Sequence, residues 1–301
     1  MKLDRVLVGV DFSPPSMETA RWAVRHFASG AELVLAHVIS MPEPPPIVSS
    51  RFPRRDLLID TLKEGADKRL RDLTLSLAAQ RVVLEIREGQ PAETLARIAE
   101  DWSADLVVTG THGERPGEWE GLGSTAQSLV RISGVPVLLV ARTYPATPSS
   151  ILVPVDDSDM AAEALGWAGE LSRKFGAKVT VLHVVAAAVS SAALAAASML
   201  SGSPPLVPGS ASRTTPESDR WIERAVSAGV PSERARSEVT FGEPTREILG
   251  AADRLGADLV VMGRRGSGRI RRALLGSVVD GVLRGAKCPV LVIVEPAAPL
   301  G

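Results

Sequence analysis

The chain has 301 residues, and 45% of them are hydrophobic, which is enough for one large domain or two of ordinary size with a substantial core. Its 34 Lys and Arg residues nearly balance its 35 Asp and Glu residues, so no overall basic field would attract nucleic acid or an anionic membrane. The single cysteine, Cys288, excludes an intrachain disulfide, and its apolar neighbours predict a buried thiol in a reducing cytosol.

The sequence predicts a cytoplasmic protein without a membrane partner. Asp4 and Arg5 lead directly into a strand-like run, whereas a secretory signal needs a longer apolar region. Residues 179–200 carry no formal charge over 22 positions, but His183 interrupts their first half and alanine and serine dominate the second. A membrane span is therefore disfavoured there.

Apolar runs and helical periodicity alternate along the first half of the chain. They predict a strand at residues 5–10, a helix at 15–27 with Trp22 facing the core, and a strand at 31–38. Proline-rich residues 41–55 then predict a loop. Next, residues 56–80 predict an amphipathic helix through Leu57, Leu58, Leu62, Leu70, Leu73 and Leu77.

The first half closes with a strand, a helix, a second strand at residues 106–108, a glycine-rich loop, a helix and a last strand at 135–140. The second half repeats this order. Its segment SILVPVDDS at 150–158 matches RVLVGVDFS at 5–13, and AKVTVLHV at 177–184 matches AELVLAHV at 31–38. Two tandem copies of one domain are therefore predicted.

The second copy also repeats the helices, at residues 161–175 with Trp167 facing the core and at 216–228. It carries eight additional residues, which fall after its second strand. The alanine-, serine- and proline-rich residues 186–212 predict a loop there, with a short helix at 190–199 as the alternative.

The linker-like segment RTYPATPSS lies where one copy ends, so we predict two domains, residues 1–145 and 146–301. Strands and helices alternate within each copy, which indicates a parallel sheet with right-handed crossovers and helices on both faces. The predicted fold class is α/β, with two tandem open parallel-sheet domains.

Ligands of such sheets bind beyond the carboxyl ends of the strands, where the strand order reverses. An aspartate there can accept a hydrogen bond from a ribose hydroxyl, and Asp11 and Asp156 end the first strand of each copy. The alternative role is a helix N-cap, but Ser13 and Ser158 follow two residues later and are good caps themselves. We therefore favour the ligand role for both aspartates.

Two glycine-rich loops follow the fourth strand of each copy, with the spacings Gly110-x2-Gly113-x9-Gly123-Ser124 and Gly263-x2-Gly266-x9-Gly276-Ser277. Small residues at the start of a helix let backbone N–H groups converge on an anion, which the helix dipole also favours. Each loop therefore predicts a phosphate site.

These loops resemble the nucleotide loop of universal stress proteins. The segments VPVLLV at 135–140 and CPVLVIV at 288–294 resemble that family's last strand, and VGVD and VPVD resemble its first. The resemblance covers nearly the whole chain as a tandem pair. It implies a Rossmann-like fold of the adenine nucleotide alpha hydrolase type, with five strands per domain and domains that pair through the last strand, as an intramolecular pseudo-dimer or a homodimer.

The resemblance also implies the residues of an ATP site in each copy. In the second copy Asp156 would contact the ribose and the Val184 backbone would contact the adenine edge. The other nucleotide-binding residues would be those of the glycine loop: Met262, Gly263, Arg264, Arg265, Gly266, Gly276, Ser277 and Val278. The first copy would use Asp11, Val38, Gly110, His112, Gly113, Gly123, Ser124 and Thr125.

The two loops differ in charge. The first has a sum of -2 from Glu114, Glu118, Glu120 and Arg115, and the second a sum of +5 from Arg264, Arg265, Arg269, Arg271 and Arg272. Because nearby charge alters phosphate affinity, we predict that ATP binds chiefly in the second copy. The three glutamates could instead hold Mg²⁺ beside a triphosphate, although their spacing is not that of a dedicated cage. Part of the arginine run could instead solvate a helix face or pair with the acids of another subunit.

The predicted function is an ATP-binding regulatory module of the stress response rather than an enzyme. Slow ATP hydrolysis or phosphotransfer is one alternative, although the sequence has no Walker lysine loop and no GxSxG. A nucleotide-free dimerisation scaffold is another. Nucleic-acid binding is disfavoured because only 4% of residues are aromatic, and the four histidines form no metal-ligand cluster, with His37 and His183 predicted to be structural.

Overall fold

A computed structural model describes residues 3–41, 55–77, 81–113, 122–140, 147–186, 216–265 and 275–294. The chain divides into two compact units, which consist mainly of Lys2–Pro145 and Ala146–Ile293. The predicted loop at 41–55, the stretch 187–212 and the alternative helix at 190–199 lie outside the described residues, apart from the ends Met41 and Arg55.

The first unit is a five-stranded parallel sheet in the order β3-β2-β1-β4-β5. Its elements are β1 (Arg5–Gly9), α1 (Pro14–Phe27), β2 (Glu32–Ile39), α2 (Arg55–Leu77), β3 (Val82–Glu88), α3 (Pro91–Asp101), β4 (Leu106–Gly110), α4 (Ser124–Ile132) and β5 (Val137–Val140). The strand order reverses between β1 and β4, so the carboxyl ends of these neighbours flank the crevice where ligands bind in such sheets.

The second unit has the same order, β8-β7-β6-β9-β10, again with parallel strands. Its elements are β6 (Ser150–Val155), α5 (Asp159–Phe175), β7 (Lys178–Ala186), α6 (Pro216–Ser227), a 3-10 turn (Ser232–Arg234), β8 (Ala235–Gly242), α7 (Pro244–Leu255), β9 (Leu259–Gly263), α8 (Ser277–Gly285) and β10 (Val290–Ile293). The predicted tandem α/β fold with five parallel strands per copy is confirmed.

Short apolar runs form the inner strands because both faces of the sheet are covered by helices. In β1, Val6, Leu7 and Val8 are fully buried, as are the three residues from Ile151 in β6. The predicted core tryptophans are confirmed, since Trp22 is 2% exposed and Trp167 is 3% exposed.

The predicted apolar face of α2 is partly wrong. Leu57, Leu58 and Leu62 are 65%, 41% and 41% exposed, although their spacing fits a buried helical stripe. The buried face is a neighbouring stripe that contains Ile59, Ala66, Leu70 and Leu73. Both stripes have helical spacing, and the position of the helix on the sheet decides which one is buried.

Gly169 in α5 lies directly against the turn that follows α6. A Cβ atom at Gly169 would stand 2.9 Å from the Gly229 carbonyl carbon and 3.0 Å from the Ala228 oxygen, so backbone atoms would have to move. We expect Gly169→Ala to lower the free energy of unfolding by about 1–3 kcal/mol, as overpacking does. The measurement is urea-induced unfolding.

Gly166 provides the matched control on the same helix, because a Cβ atom there meets nothing within 4 Å. Gly166→Ala should be neutral or stabilise the protein by up to about 1 kcal/mol, since alanine has the higher helix propensity. Equal stabilities of the two variants would contradict the close approach at Gly169.

The prediction of a buried Cys288 is confirmed, and burial raises the pKa of its thiol to about 11 from a reference of 9.0. At pH 8 this shift alone lowers the thiolate fraction about 100-fold. We therefore expect a disulfide reagent to label Cys288 slowly in the native protein and rapidly in denaturant. Equal labelling rates would contradict the burial.

Within the described ranges, no helix combines the length and the apolarity that crossing a bilayer requires.

Candidate functional site

The glycine loop and the first-strand aspartate meet at the carboxyl edge of the first unit. Asp11 follows β1 and Gly113 follows β4, the neighbouring strand. A Cβ atom on Gly113 would stand 2.5 Å from Asp11 Oδ2, a distance that real Cβ contacts do not reach. Only glycine fits here without a shift, and its absence of a side chain lets the loop lie against the carboxylate.

Hydrogen bonds hold the Asp11 carboxylate in its charged form. The Ser13 N–H donates to the carboxylate oxygen Oδ1 at 2.9 Å, while the backbone N–H of Asp11 donates to Ser16 Oγ at 3.3 Å and fixes the backbone of the same residue. Burial by itself would raise the pKa of Asp11, but hydrogen bonding with Ser13 and Ser16 outweighs it and keeps the pKa below the ordinary 3.8. Asp11 is therefore an ionised acceptor at neutral pH, and its Oδ2 lies on the side of the loop.

Asp156 has the same relation to its own helix in the second unit. Its Oδ1 accepts a hydrogen bond from the Ser158 N–H at 3.1 Å and another from the Ser158 hydroxyl. The N-caps are Ser13 and Ser158, each of whose hydroxyls accepts from the first turn of the helix. The alternative that the aspartates are the caps is therefore wrong, although both brace the capping turn.

Val38 pairs with Arg87 of β3 on one side, but on its other side it lies beyond Gly9–Ala36, the last residue pair of β1 and β2. Along β2 the even-numbered residues turn their backbone groups to β1, as the bond from the Val10 N–H to the Ala36 carbonyl at 2.8 Å shows. The Val10 carbonyl, the next acceptor on that side, accepts instead from His37 Nδ1 at 2.7 Å. The N–H and C=O of Val38 therefore face the gap between the ends of β1 and β2.

Val184 ends the ladder of the second unit in a similar way. The Lys178 N–H donates to the Ser149 carbonyl at 2.9 Å, so the even-numbered residues of β7 face β6. The last pair of this ladder is Val155 with His183. The Val184 carbonyl therefore lies beyond the end of β6 and faces the corresponding gap.

Both glycine loops are closed at their base by the same pair of hydrogen bonds. The Gly123 N–H donates to the Thr111 carbonyl at 2.8 Å, and the Gly276 N–H donates to the Arg264 carbonyl at 3.3 Å. The N–H groups of Thr111 and Arg264 in turn donate to the last strands, to Val140 at 3.2 Å and to Ile293 at 2.7 Å. The two loops therefore share the hydrogen bonds at their base as well as the glycine spacing of their sequences.

The helices that follow these loops begin without a side-chain cap. Gly123 and Gly276 are the N-caps of α4 and α8, and neither start has a side-chain cap bond. The helices α1, α5 and α7 are capped by the side chains of residues 13, 158 and 243, whereas α3, which follows Gln90, also has no side-chain cap bond. The first backbone N–H groups of α4 and α8, at Ser124, Thr125, Ser277 and Val278, have no acceptor within a regular helix and can bind an anion.

The first glycine of each loop, Gly110 or Gly263, packs closely against a helix of its own unit. A Cβ atom on Gly263 would stand 2.7 Å from Met160 Cβ in α5, and one on Gly110 would stand 3.4 Å from Thr19 Oγ1 in α1. Met262 is 5% exposed within β9. His112, beside the first loop, places Nδ1 3.0 Å from the Thr111 hydroxyl.

The arginines at the start of the second loop differ in exposure. Arg264 is only 9% exposed, so its side chain packs into the protein, whereas Arg265 is half-buried. The remaining charged residues of the two loops and one predicted glycine lie outside the described residues: Glu114, Arg115, Glu118, Glu120, Gly266, Arg269, Arg271 and Arg272. Among the residues that the structure describes, no group of three metal-ligating side chains is present.

An aromatic and cationic cluster beside the edge of the first unit escaped the sequence analysis. The Phe12 ring lies 4.4 Å from the His37 ring, and the Arg69 guanidinium lies 4.1 Å from the Phe12 ring centre. Burial lowers the pKa of His37 and Arg69 lowers it further, although the Val10 carbonyl and the Asp11 charge raise it. The ring contact with Phe12 and the hydrogen bond to the Val10 carbonyl fit the structural role predicted for His37.

The second unit places a different cluster at the same edge. Asp157 pairs with Arg220 at 3.2 Å and with Arg224 at 3.5 Å, and both arginines lie over Trp221. The Trp221 ring packs against His183 with centroids 5.4 Å apart. The acidic pair at 156–157 opposite an Arg-Trp-x-x-Arg run was the available sequence signal, but only the fold brings the two together.

Comparisons with known proteins agree with the duplicated domain. The family model for the universal stress protein family matches residues 2–141 and 149–294. A universal stress protein of Mycolicibacterium smegmatis is 28% identical over 310 residues, covering 96% of both chains. The crystal structure of a universal stress protein from Archaeoglobus fulgidus has a TM-score of 0.68 at 20% identity, over 98% of this chain and 97% of that one. A universal stress protein in complex with cAMP aligns to 49% of this chain and 98% of its own, at 24% identity and a TM-score of 0.36.

Proposed function

Because the chain belongs to the universal stress protein family and carries its domain twice, we propose that it binds an adenine nucleotide at the carboxyl edge of each sheet. The ligand we propose is ATP, bound chiefly in the second unit, and the output is a change of conformation or partner in the cytoplasm. The two domains would act as a pseudo-dimer within one chain, and a homodimer would repeat that pairing.

The observation that carries this proposal is the contact between Gly113 and the Asp11 carboxylate. It brings an ionised acceptor, suited to ribose hydroxyls, against a loop that leads into an uncapped helix. A ribose at Asp11 would therefore have its 5′ substituent directed to the first N–H groups of α4, at Ser124 and Thr125. Asp156, Ser277 and Val278 supply the same groups in the second unit.

The base would lie at the strand gaps. Adenine presents a donor and an acceptor side by side on its Watson–Crick edge, and a strand backbone offers the complementary acceptor and donor. The Val38 N–H and C=O both face the first gap, and the Val184 carbonyl faces the second. We expect the backbone to favour adenine over guanine, whose corresponding edge has donor and acceptor exchanged.

Charge would make the two sites unequal. The second loop carries five arginines and no acid, whereas the first carries three glutamates and one arginine. A unit charge a few Å from a phosphate contributes on the order of 1 kcal/mol in a water-like dielectric. The second unit would therefore hold ATP more tightly, and any Mg²⁺ that accompanies the nucleotide would be bound by the triphosphate oxygens.

Calorimetric titration of ATP into the purified protein tests the proposal. We expect one tight site, lost in Asp156→Ala and retained in Asp11→Ala, and a weaker second site with the opposite dependence. Two equal sites would refute the asymmetry, and no binding would refute the nucleotide function and support a scaffold. Phosphate release that follows the protein through purification and vanishes in Asp156→Ala would favour the hydrolase alternative.

A further inference from the structure

We propose that Arg220 and Arg224 on α6 form a second anion subsite, which binds a phosphate monoester on the 2′ or 3′ oxygen of the nucleotide ribose. The second unit would then prefer adenine nucleotides that carry a phosphate on the ribose in addition to the 5′ phosphate. This inference rests on the proposed function, because it requires the ribose to lie beside Asp156.

The two arginines converge on a single acceptor atom. Arg220 Nη2 lies 3.2 Å and Arg224 Nη1 lies 3.5 Å from the same oxygen, Oδ1 of Asp157. They are four residues apart on α6 and so project from one face of the helix. Two guanidinium groups aimed at one oxygen form a fork that an anion can occupy.

The two arginines pack on a buried tryptophan of the same helix. Trp221 is 1% exposed, and the Arg224 and Arg220 guanidinium carbons lie 4.7 Å and 5.9 Å from its ring centre. The Ser237 hydroxyl in β8 donates to the Ser218 carbonyl at 2.7 Å, which anchors the start of the same helix. The side chains of Arg220 and Arg224 are 55% and 43% exposed, so a ligand can reach them.

The contact with Asp157 places the fork beside Asp156, and the strand order places it on the side of Asp156 that lies away from the glycine loop. β6, which leads into Asp156 and Asp157, lies between β7 and β9. The glycine loop follows β9, whereas α6 packs on β7 and β8. The 5′ phosphates bound at Ser277 would therefore lie on one side of Asp156, and the arginines lie on the other.

This arrangement joins two known solutions for reading a ribose. In dinucleotide folds an acid accepts the free ribose hydroxyl, and a nearby arginine accommodates a 2′-phosphate. Here Asp156 supplies the acid, and the residue after it, Asp157, holds two arginines in place. Asp157 would act as the internal counter-ion of the fork, and a phosphate would compete with it or share it.

Among the residues that the structure describes, the first unit has no equivalent of this fork. The position that corresponds to Asp157 is Phe12, whose backbone is left-handed with φ 65°, and whose ring lies between His37 and Arg69. The Arg69 Nη2 already donates to the Phe12 carbonyl at 3.4 Å. A ribose phosphate would therefore meet an aromatic ring and one engaged guanidinium there.

Directed hydrogen bonds would dominate over long-range charge at this subsite. The fork has two positive charges against one on Asp157, but Asp219 and Glu223 are also exposed on α6. The local field is therefore weak, and the preference should depend on the geometry of the two guanidinium groups. Substitution of either arginine should therefore abolish most of the preference for a phosphorylated ribose.

Calorimetry with AMP, adenosine 2′,5′-bisphosphate and adenosine 3′,5′-bisphosphate tests the inference on the intact chain. We expect at least one bisphosphate to bind about tenfold or more tighter than AMP, as two charge-assisted hydrogen bonds allow. In the double variant Arg220→Ala/Arg224→Ala the ratio of bisphosphate affinity to AMP affinity should fall below about twofold, while the affinity for AMP itself is retained. Asp157→Asn, which removes the counter-ion, should increase the ratio.

The control is Lys178→Ala/Arg236→Ala, which removes the same charge at the opposite, amino-terminal edge of β7 and β8. It should leave the ratio unchanged. The inference is overturned if neither bisphosphate binds tighter than AMP, or if the ratio survives in Arg220→Ala/Arg224→Ala. Failure of AMP and ATP alike to bind would overturn the proposed function as well, which distinguishes the two failures.

Discussion

Gly276→Val should lower the affinity for ATP about 100-fold or more while the protein stays folded. Gly276 has φ -64°, which valine adopts freely, and a Cβ atom there would meet its nearest neighbour, the Arg264 carbonyl oxygen, at an ordinary 3.4 Å. The added branched side chain would instead obstruct the N–H groups of Ser277 and Val278. Loss of two hydrogen bonds to a charged phosphate costs about 3 kcal/mol or more, which corresponds to this factor.

Gly250→Val is the matched control for this prediction. Gly250 lies in α7, and a Cβ atom there meets nothing within 4 Å. This variant should bind ATP like the unmodified protein, with equal or slightly changed stability. If Gly276→Val and Gly250→Val bind ATP equally well, the start of α8 is not the phosphate site.

Arg264→Glu combined with Arg265→Glu should weaken ATP binding about 100-fold, because four units of charge change beside the phosphates at about 1 kcal/mol each with incomplete addition. The two positions should also differ in stability. Arg264 is 9% exposed, so Arg264→Glu would bury a carboxylate in surroundings that suit an arginine. A variant that carries Arg264→Glu should therefore unfold more easily than Arg265→Glu alone.

Arg265→Glu alone therefore separates binding from folding. We expect it to weaken ATP about tenfold with an unfolding midpoint close to that of the parent. Arg284→Glu is the control, because Arg284 forms an exposed pair with Asp280 at 2.9 Å near the end of α8. An effect of Arg265→Glu no larger than that of Arg284→Glu would contradict electrostatic binding by the loop.

The meeting of Asp11 with the first glycine loop could be predicted from the sequence. The alternation of strands and helices predicts a parallel sheet whose carboxyl ends lie at one edge, and the order of the strands, known from the structure, makes the ends of β1 and β4 neighbours. The aspartate after β1 and the glycines after β4 then have to share one edge. The spacing of the motif did not indicate how closely the loop approaches the carboxylate, since a Cβ atom on Gly113 would stand only 2.5 Å from Asp11 Oδ2.

The buried face of α2 could not be predicted in the same way. Leu58 and Leu62 are four residues apart, as are Ala66 and Leu70, so each pair fits a helical stripe. Only the second pair is buried, because the packing of the helix on β2 and β3 selects the face. Periodicity identifies a helix, but when two apolar stripes overlap it does not identify the inner one.

The arginine fork was missed for a different reason. Asp157 is separated from Arg220 by 63 residues and from Arg224 by 67, so no local motif connects them. The two residues of the fork look like a solvated helix face in sequence. The fold brings this face to the carboxyl edge of the sheet, where Trp221 packs beside His183 and the arginines meet Asp157.

Hydrogen–deuterium exchange with and without ATP tests the central claim most directly. We predict that ATP slows exchange in the segments around Asp156, Val184 and Ser277, with weaker or no slowing around Asp11 and Ser124. The backbone amides at these three places would be covered by ribose, adenine and phosphate. Unchanged exchange in all three segments at saturating ATP, or slowing confined to other parts of the chain, would contradict the proposed site.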